Sequence, residues 1–264
     1  MKEDHYLEIR HGTVRKKNAL IQQARFDLST QEQKIMLYII SRISPQDEDF
    51  RDYEFTLYDF CKTCGIIYNG KNFHDLKETL KGLRDKSFWF PKDGGMITIA
   101  WLQKVYIMPK TGTVKIKLDE DMRLFLLDIK EKFTAYELLW TLNFRSKYTI
   151  RLYEYIKSVH FHKDEIYIHE CSVDTLKGVM GAGKYKEYKS FKLRALVPAI
   201  EEINQCSDES LQYEELRQGR RVVEIRLTIS PKERWEVIKL KGAIEDKFEL
   251  NQLTIWERLS DSST

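Results

Sequence analysis

The sequence predicts an α+β fold in which one module of three helices and a β-hairpin occurs twice. The first observation is a repeated segment, TLYDFCKTCG at 56–65 and SVDTLKGVMG at 172–181. Each begins with a hydroxyl residue suited to an N-cap and ends with a glycine that can terminate a helix. The second observation is that similar helical and strand patterns surround both segments, which indicates an internal duplication.

A helical pattern precedes each repeated segment. The first, LSTQEQKIMLYIISRI (28–43), starts with Ser29 and Glu32 at the S-x-x-E spacing of a capping box. The second is SKYTIRLYEYIKSVHF (146–161). Both patterns carry a stripe of apolar residues, which predicts one buried face on each helix. The stripes consist of Ile35, Leu37, Ile39, Ile40 and Ile43 in the first helix and of Ile150, Leu152, Tyr153 and Ile156 in the second.

A third helix and a hairpin follow each repeated segment. The third helices are predicted within FHDLKETLKGLRDKSFWF (73–90) and YKSFKLRALVPAIEEIN (188–204). Alternating apolar residues around the turns PKTG and RQGR predict hairpins over 96–118 and 210–229. Three helices followed by a hairpin is the order of a winged helix-turn-helix domain. We therefore expect tandem winged helix-turn-helix domains related by a pseudo-twofold internal repeat.

The same pattern divides the chain into four parts. These are a basic N-terminal arm (1–17), an N-terminal winged-helix domain (18–130), a C-terminal winged-helix domain (131–240) and a C-terminal tail (241–264). Residues 119–144 have a helical pattern without a loop signal, so we expect a helical connector with the domain boundary near Lys130.

Composition excludes some classes of protein and leaves others open. The net charge of +3, from 44 basic and 41 acidic residues, does not by itself identify a nucleic-acid binder. The segment KYKEYKSFKLR (184–194), however, has five basic residues and one glutamate. No apolar run is long enough to span a membrane and the N-terminus has no signal-peptide pattern, so we expect a cytoplasmic protein. Four cysteines are too few for a disulfide framework in a chain of this length.

The helix at 188–204 is a candidate for contact with DNA. On an α-helical wheel its core side consists of Leu193, Leu196, Val197, Ile200 and Ile203, and the opposite side of Ser190, Phe191, Arg194, Ala195 and Pro198. Arg194 is suited to a guanine edge, whereas Lys189 and Lys192 are better placed for phosphates. Pro198 should bend the helix beyond the part that would read bases. Taken alone, the segment is equally compatible with a surface helix that binds nothing.

The predicted tip of the second hairpin favours the DNA-binding interpretation. Arg217, Arg220 and Arg221 surround the turn at Gly219 with no acidic residue between them. Three guanidinium groups at a tight turn suit a phosphate backbone or a narrow minor groove.

Three long stretches of the sequence resemble the initiator Rep proteins of iteron-containing plasmids (the Rep_3 or RepB-type replication initiators). They are NALIQQARFDLSTQEQKIMLYIISRI (18–43), KFTAYELLWTLNFRSKYTIRLYEYI (132–156) and the run from Ser172 to Asp208 with its continuation YEELRQGRRVVEIRLTI (213–229). The resemblance covers roughly residues 18–232.

The resemblance implies a function and a set of partners. In this family the C-terminal winged helix inserts its third helix into the major groove of directly repeated origin DNA, the iteron, while the N-terminal one contacts the neighbouring backbone and forms a dimer interface. Monomers initiate replication with the host initiator and helicase, and dimers repress the rep gene, which serves plasmid copy control. The positions that match are Lys189, Ser190, Lys192 and Arg194 in the reading helix, Arg220 and Arg221 in the wing and, loosely, Lys71, Asn72, His74 and Lys77 in the N-terminal domain. Some members have arginine where this chain has Leu193.

Two motifs suggest other chemistry. Cys61 and Cys64 form a CxxC, but further metal ligands and a βαβ context are not visible, so we interpret them as ordinary helix residues. His160 and His162 resemble the histidine pair of rolling-circle nicking enzymes, although here they follow a helix and not a strand. No Walker A motif occurs.

We therefore expect a non-enzymatic initiator without metal, cofactor or catalytic residues. Two alternatives stay open: a winged-helix transcriptional repressor with no role in replication, and a nicking initiator that uses the two histidines. The sequence does not distinguish the initiator from the repressor, because both would have the same architecture.

Overall fold

The computed structural model describes residues 2–44, 47–160 and 165–261. Its α-helices are α1 (Lys2–Arg10), α2 (Asn18–Gln22), α3 (Thr30–Ile40), α4 (Leu57–Thr63), α5 (Gly70–Asp85), α6 (Arg123–Leu126), α7 (Leu138–Asn143), α8 (Lys147–Val159), α9 (Val173–Val179), α10 (Tyr188–Phe191), α11 (Val197–Cys206) and α12 (Arg234–Asp261). Its strands are β1 (Thr13–Lys17), β2 (Tyr53–Thr56), β3 (Ser87–Lys92), β4 (Gly95–Ala100), β5 (Leu102–Met108), β6 (Thr113–Leu118), β7 (Phe133–Glu137), β8 (Tyr167–Ser172), β9 (Glu209–Gln218) and β10 (Arg221–Pro231). A 3-10 turn at Glu120–Met122 precedes α6, and a π-helical turn at Lys192–Leu196 joins α10 to α11.

Each half of the chain contains a three-stranded antiparallel sheet of the same topology. In the N-terminal half β6 lies between β2 and β5, and in the C-terminal half β10 lies between β8 and β9. The first strand of each sheet leads directly into α4 or α9, and the last two strands form the wing hairpin. The predicted duplication of a winged helix-turn-helix is therefore present in the structure.

The helix ends follow the predicted local signals. The Asp59 amide donates to the Thr56 hydroxyl (2.9 Å) and the Thr175 amide donates to the Ser172 hydroxyl (3.0 Å), so both repeated helices are capped by the expected residues. Both helices end at glycines in the left-handed region, with φ +63° at Gly65 and +65° at Gly181. The capping box at the start of α3 is also confirmed, since both of its hydrogen bonds are present.

The two halves are joined by a strand pair that we did not predict. β1 pairs with β7 in antiparallel register, from Thr13 opposite Glu137 to Lys17 opposite Phe133. The prediction of a helical connector over 119–144 is therefore wrong. Helix α6 ends at Leu126, and the backbone then has positive φ at Asp128 and Lys132. Residues 133–137 are extended because β1 supplies a partner strand for β7. The predicted boundary at Lys130 lies in this loop and stays a prediction.

Both ends of the chain pack against the folded halves. The segment 1–17, which we predicted to be an arm, contains α1 and β1. The Arg10 guanidinium donates to the carbonyls of Thr63 (2.9 Å) and Lys62 (2.7 Å) and pairs with Glu245 of α12. The predicted tail, 241–264, begins inside α12, whose Ile244 and Phe248 are buried. Although α12 is long, it is not apolar enough to cross a membrane, and neither is any other helix in the described ranges.

The N-terminal half has one hairpin more than predicted. α5 ends at Asp85, and SFWF at 87–90, which we assigned to the helical pattern, opens β3 and pairs with β4. Phe88 is buried while Trp89 is exposed, as expected for a strand with one face on the core. The predicted strand over 96–108 is in fact two strands, because Trp101 breaks the pairing and packs against Phe26 and Phe88, with ring centroids 4.7 and 4.8 Å apart.

A group of buried polar side chains lies beneath the β1–β7 pair. Lys16 forms an ion pair with Glu154 of α8, and the Tyr136 hydroxyl donates to the same carboxylate. Arg151 lies 3.8 Å from Glu154 and donates to the carbonyls of Val179 (2.8 Å) and Ile21 (3.1 Å). Burial lowers the pKa of Lys16, and the attraction of Glu154 opposes that shift. These contacts hold both halves of the chain to one helix.

We predict that Gly181→Ala destabilises the protein by about 1–3 kcal/mol. A β-carbon at Gly181 would meet the Phe26 carbonyl oxygen at 2.9 Å, and the left-handed backbone there disfavours any side chain. The free energy of unfolding in urea measures the effect. Gly183→Ala is the matched control, because a β-carbon at Gly183 would meet no atom within 4 Å. Equal stability of the two variants would contradict the prediction.

Candidate nucleic-acid interface

The third helix of the C-terminal half is continuous but not uniformly α-helical. Between α10 and α11 the Val197 amide donates to the Lys192 carbonyl, five residues earlier, which widens the turn. Pro198 follows directly, and because proline has no amide hydrogen it cannot donate to the Arg194 carbonyl. Pro198 is exposed, as predicted.

The π-helical turn changes which residues face the core. The α-helical wheel placed Leu193 inside and Phe191 and Ala195 outside, and this prediction is wrong. Phe191 and Ala195 are buried, whereas 59% of Leu193 is exposed. The wider turn takes up one more residue than an α-helical turn, so the residues before it are rotated relative to those after it. Leu196, Ile200 and Ile203 are buried, as predicted.

The exposed side of this helix is basic at its N-terminal end. Lys189 and Arg194 are exposed and Ser190 is partly exposed. Lys189 and Leu193 are separated by one turn, as are Ser190 and Arg194, so the four side chains share one side of the helix. The structure therefore brings together three of the four predicted reading residues and adds Leu193 to them.

The fourth predicted residue, Lys192, is bound to the wing. Its ammonium group lies 2.8 Å from the carboxylate of Glu215 on β9. Glu215 also accepts hydrogen bonds from the Tyr188 hydroxyl (2.9 Å) and the Arg217 guanidinium (2.5 Å). The hydrogen bond from Lys192 lowers the pKa of Glu215, and the same bond raises the pKa of Lys192.

Glu215 thus connects the wing to the reading helix through two donors, Tyr188 and Lys192, while the third donor, Arg217, lies on its own strand. Its side chain is mostly buried, at 14% exposure. We did not single out this residue from the sequence, since nothing local shows that a strand glutamate meets a helix lysine more than twenty positions earlier. The signal that was present is the pair Glu214 and Glu215 next to a strongly basic segment.

The wing ends in the predicted tight turn. Gln218 and Arg221 are paired across the turn, and Gly219 has φ +62°, which a tight hairpin turn requires. Arg217, Arg220 and Arg221 are all exposed. Of these, Arg217 is held by Glu215, while Arg220 and Arg221 form no ion pair with any side chain that the structure describes.

The N-terminal counterpart presents a different surface. On α5 Lys71, His74 and Lys77 are exposed, but the Asn72 side chain donates to the Ile67 carbonyl (2.6 Å) and stabilises the start of the helix. The larger basic surface lies further along, where Lys77, Lys81 and Arg84 of α5 and Lys104 of β5 line one groove. Sequence reasoning missed the last three, although 77, 81 and 84 have the spacing of one helix face.

Three of the four side chains considered for other chemistry lie in the core, namely His160, Cys61 and Cys64. His160 is buried, with Nε2 2.8 Å from the Glu165 carbonyl and Nδ1 3.8 Å from the Glu209 carboxylate, while His162 lies outside the described residues. Cys61 and Cys64 are buried, and burial raises the pKa of each thiol to about 12. In the parts of the chain that the structure covers, no group of His, Cys, Asp and Glu side chains could hold a metal ion.

The fold is similar to that of one solved structure in particular. The Pi initiator protein, crystallised in complex with iteron DNA, matches with a TM-score of 0.72 at 19% identity, over 85% of this chain and 99% of that one. Two structures of RctB match with a TM-score of 0.43 at 10% identity. One, of domains 2 and 3 in a selenomethionine derivative, covers 68% of this chain and 73% of that chain; the other, of domains 2–3, covers 76% and 80%.

Two family models match the sequence, one after the other along the chain. Residues 13–157 match the model described as initiator replication protein, WH1, and residues 172–229 match initiator Rep protein, WH2. The two matches cover well over half of the chain and name two winged helices, and the first match extends past Lys130 through β7 and most of α8. The resemblance found in the sequence is thereby confirmed, and the protein belongs to the initiator Rep protein family.

Proposed function

We propose that this protein is a plasmid replication initiator that binds directly repeated origin DNA, the iterons, through its winged-helix domains. The observation that carries the proposal is the basic side of the third helix, which stands beside an arginine-tipped wing. The related Pi initiator, which has the same fold over most of its length, was crystallised in complex with iteron DNA.

The C-terminal domain would read the sequence of the repeat. In a helix-turn-helix the N-terminal part of the second motif helix contacts base edges, and here that part carries the exposed Lys189 and Arg194. Arg194 would donate to guanine N7 and O6, and Lys189 would contact a phosphate. Arg220 and Arg221, which have no carboxylate partner among the described residues, would contact the backbone beside the helix.

The N-terminal domain would bind the neighbouring DNA backbone. Lys77, Lys81, Arg84 and Lys104 present four cations along one groove, which suits a row of phosphates better than a base edge. Lys71 and His74, exposed at the start of the same helix, would extend this contact.

We further propose that the protein acts without catalysis or cofactor. It would open the origin together with the host initiator and helicase, and a homodimer in equilibrium with the monomer would repress its own gene. The burial of His160 argues against a histidine-based nicking site, because a metal ligand in such a site must be accessible to DNA. A repressor without a role in replication is the second candidate, since it could use the same surface.

A footprint on the DNA that flanks the gene tests the proposal. We expect a series of protected direct repeats, and a plasmid that carries them should be maintained when this protein is supplied. Protection of a single inverted repeat, without plasmid maintenance, would instead identify the repressor. Cleavage of supercoiled DNA with added Mg²⁺ or Mn²⁺ that is lost in His162→Ala would contradict the non-enzymatic mechanism.

Arg194→Ala should weaken binding to the repeat by about 1–3 kcal/mol and relax the preference at one base pair. Random DNA should be bound almost as before, because a base contact contributes only at the correct site. Lys189→Ala is the matched control. It should weaken binding to all sequences and reduce the salt dependence by about one phosphate. If both variants lost equal affinity on repeat and random DNA, Arg194 would not read a base.

Lys192 of the reading helix, which we first assigned to a phosphate, should behave differently from Lys189. Its ammonium group is already neutralised by Glu215. Lys192→Ala should still weaken binding to all sequences, because it leaves the Glu215 carboxylate without its lysine partner near the phosphates. Titration over a range of salt concentrations measures this, and a normal affinity in Lys192→Ala would show that the wing does not approach the backbone.

Glu215→Gln should increase the affinity for random DNA severalfold and so reduce the ratio of specific to random binding. The change removes a negative charge near the phosphates and frees Lys192 and Arg217 to contact them. Glu214→Gln is the control, because Glu214 lies on the same strand, is 66% exposed and pairs with Arg226 instead. Weaker binding of random DNA by Glu215→Gln would contradict this role.

The lowered pKa of Glu215 predicts how the stability of the protein depends on pH. Because the folded-state pKa of Glu215 is lowered, its contribution to folding is complete at neutral pH and is lost only as pH falls through that lowered pKa. The difference in unfolding free energy between the native protein and Glu215→Gln should therefore be constant from pH 6 to 8, and shrink only in acid.

A further inference from the structure

Leu193 is the one large apolar side chain on the exposed side of the reading helix, within the part of that helix that the structure describes. Phe191 and Leu196, its apolar neighbours, are buried, whereas Leu193 is 59% exposed. The π-helical turn accounts for this position, because a regular α-helix would place residue 193 with Leu196 and Ile200 on the core side.

Exposure alone says little about a leucine, since single apolar side chains are common on protein surfaces. The surroundings of Leu193 are more informative. It lies one turn from Lys189 and next to Arg194, and the third residue of this group, Ser190, is polar. An apolar side chain surrounded by cations is poorly placed for an apolar protein partner, but it is well placed to approach an anion that carries an apolar group.

The major groove of DNA offers such a group. Its edges present hydrogen-bond donors and acceptors at every base pair, and the one apolar feature is the C5 methyl group of thymine. A helix that places Arg194 at the base edges of the groove must bring Leu193 there as well, because the two exposed side chains are adjacent on one side of the helix. Leucine can form no hydrogen bond there, so next to a donor or acceptor it would leave that group without a partner.

We infer that Leu193 is a specificity-determining residue that contacts a thymine methyl group in the repeat, next to the base pair contacted by Arg194. This inference rests on the proposed function, since it requires the reading helix to lie in the major groove. The proposed preference for thymine depends on the leucine at position 193 of this chain.

Replacement of each thymine of the repeat by deoxyuridine, one at a time, tests the inference, because it removes the methyl group and leaves every hydrogen-bonding group in place. For the native protein we expect one substitution, or two adjacent ones, to weaken binding about three- to fivefold, as expected for one methyl group that is no longer buried. For Leu193→Ala the same substitutions should have almost no effect, and binding to the thymine-containing repeat should already be weaker.

Two controls separate the methyl contact from other effects. Ile168→Ala removes another exposed apolar side chain, on β8, and should leave the full sensitivity to deoxyuridine. Leu193→Met keeps an apolar side chain and should retain part of the sensitivity. Both Leu193 variants should unfold at the same urea concentration as the native protein, because the side chain is exposed.

The possible results separate a failure of the thymine contact from a failure of the proposed function. If the native protein bound the repeat no better than random DNA, the proposed function itself would fail. If the native protein bound the repeat specifically but Leu193→Ala kept the same sensitivity to every deoxyuridine, the methyl contact would be overturned while the function stood. The same holds if Leu193→Ala bound the thymine-containing repeat with unchanged affinity.

Discussion

The pairing of β1 with β7 is the constraint on which the rest of the structure depends. Each strand leads into the helices of one half, so their antiparallel register sets how the two winged helices face each other. Lys16 on β1 and Tyr136 on β7 both contact Glu154 of α8, and Asn18 donates to the Ser158 carbonyl (3.1 Å) at the far end of that helix. A buried ion pair contributes little net stability when it replaces apolar packing, but loss of one partner is costly, so removal of any one of these groups should destabilise the junction of the two halves.

The reading surface is organised by two local departures from regular structure. The π-helical turn before Pro198 buries Phe191 and Ala195 and exposes Leu193. Glu215 of the wing accepts hydrogen bonds from Lys192 of the helix and from Arg217 of its own strand, which ties the wing to the helix. If this surface contacts DNA, the Glu215 carboxylate would repel phosphate and so weaken binding that does not depend on sequence. In the proposed complex, Arg194 and Leu193 would be left to distinguish one sequence from another.

Sequence patterns were informative where the determining contacts are local. The caps at Thr56 and Ser172 and the glycines at 65 and 181 require only a few neighbouring residues, and all four were predicted correctly. The duplicated order of elements followed from them. Residues 133–137 have a helical pattern yet form a strand, because their partner lies more than a hundred positions earlier and no local pattern contains it. The helical wheel failed at Leu193 for another reason, since it assumes one constant period and the helix changes period beside Pro198.

The close contact between Gly181 and the backbone of Phe26 bears on the length of DNA that the molecule could bind. The turn of the C-terminal helix-turn-helix touches the backbone of Phe26, which belongs to the other half, with no room for even one additional carbon atom. At the neighbouring Gly178 the Arg25 side chain makes a similar contact. Together with the strand pair, these contacts hold the two halves at one separation and one rotation in this structure. If both winged helices bind DNA in this arrangement, the protein sets the length of DNA that one molecule occupies, and a site whose two parts are out of helical phase would have to twist or bend to fit.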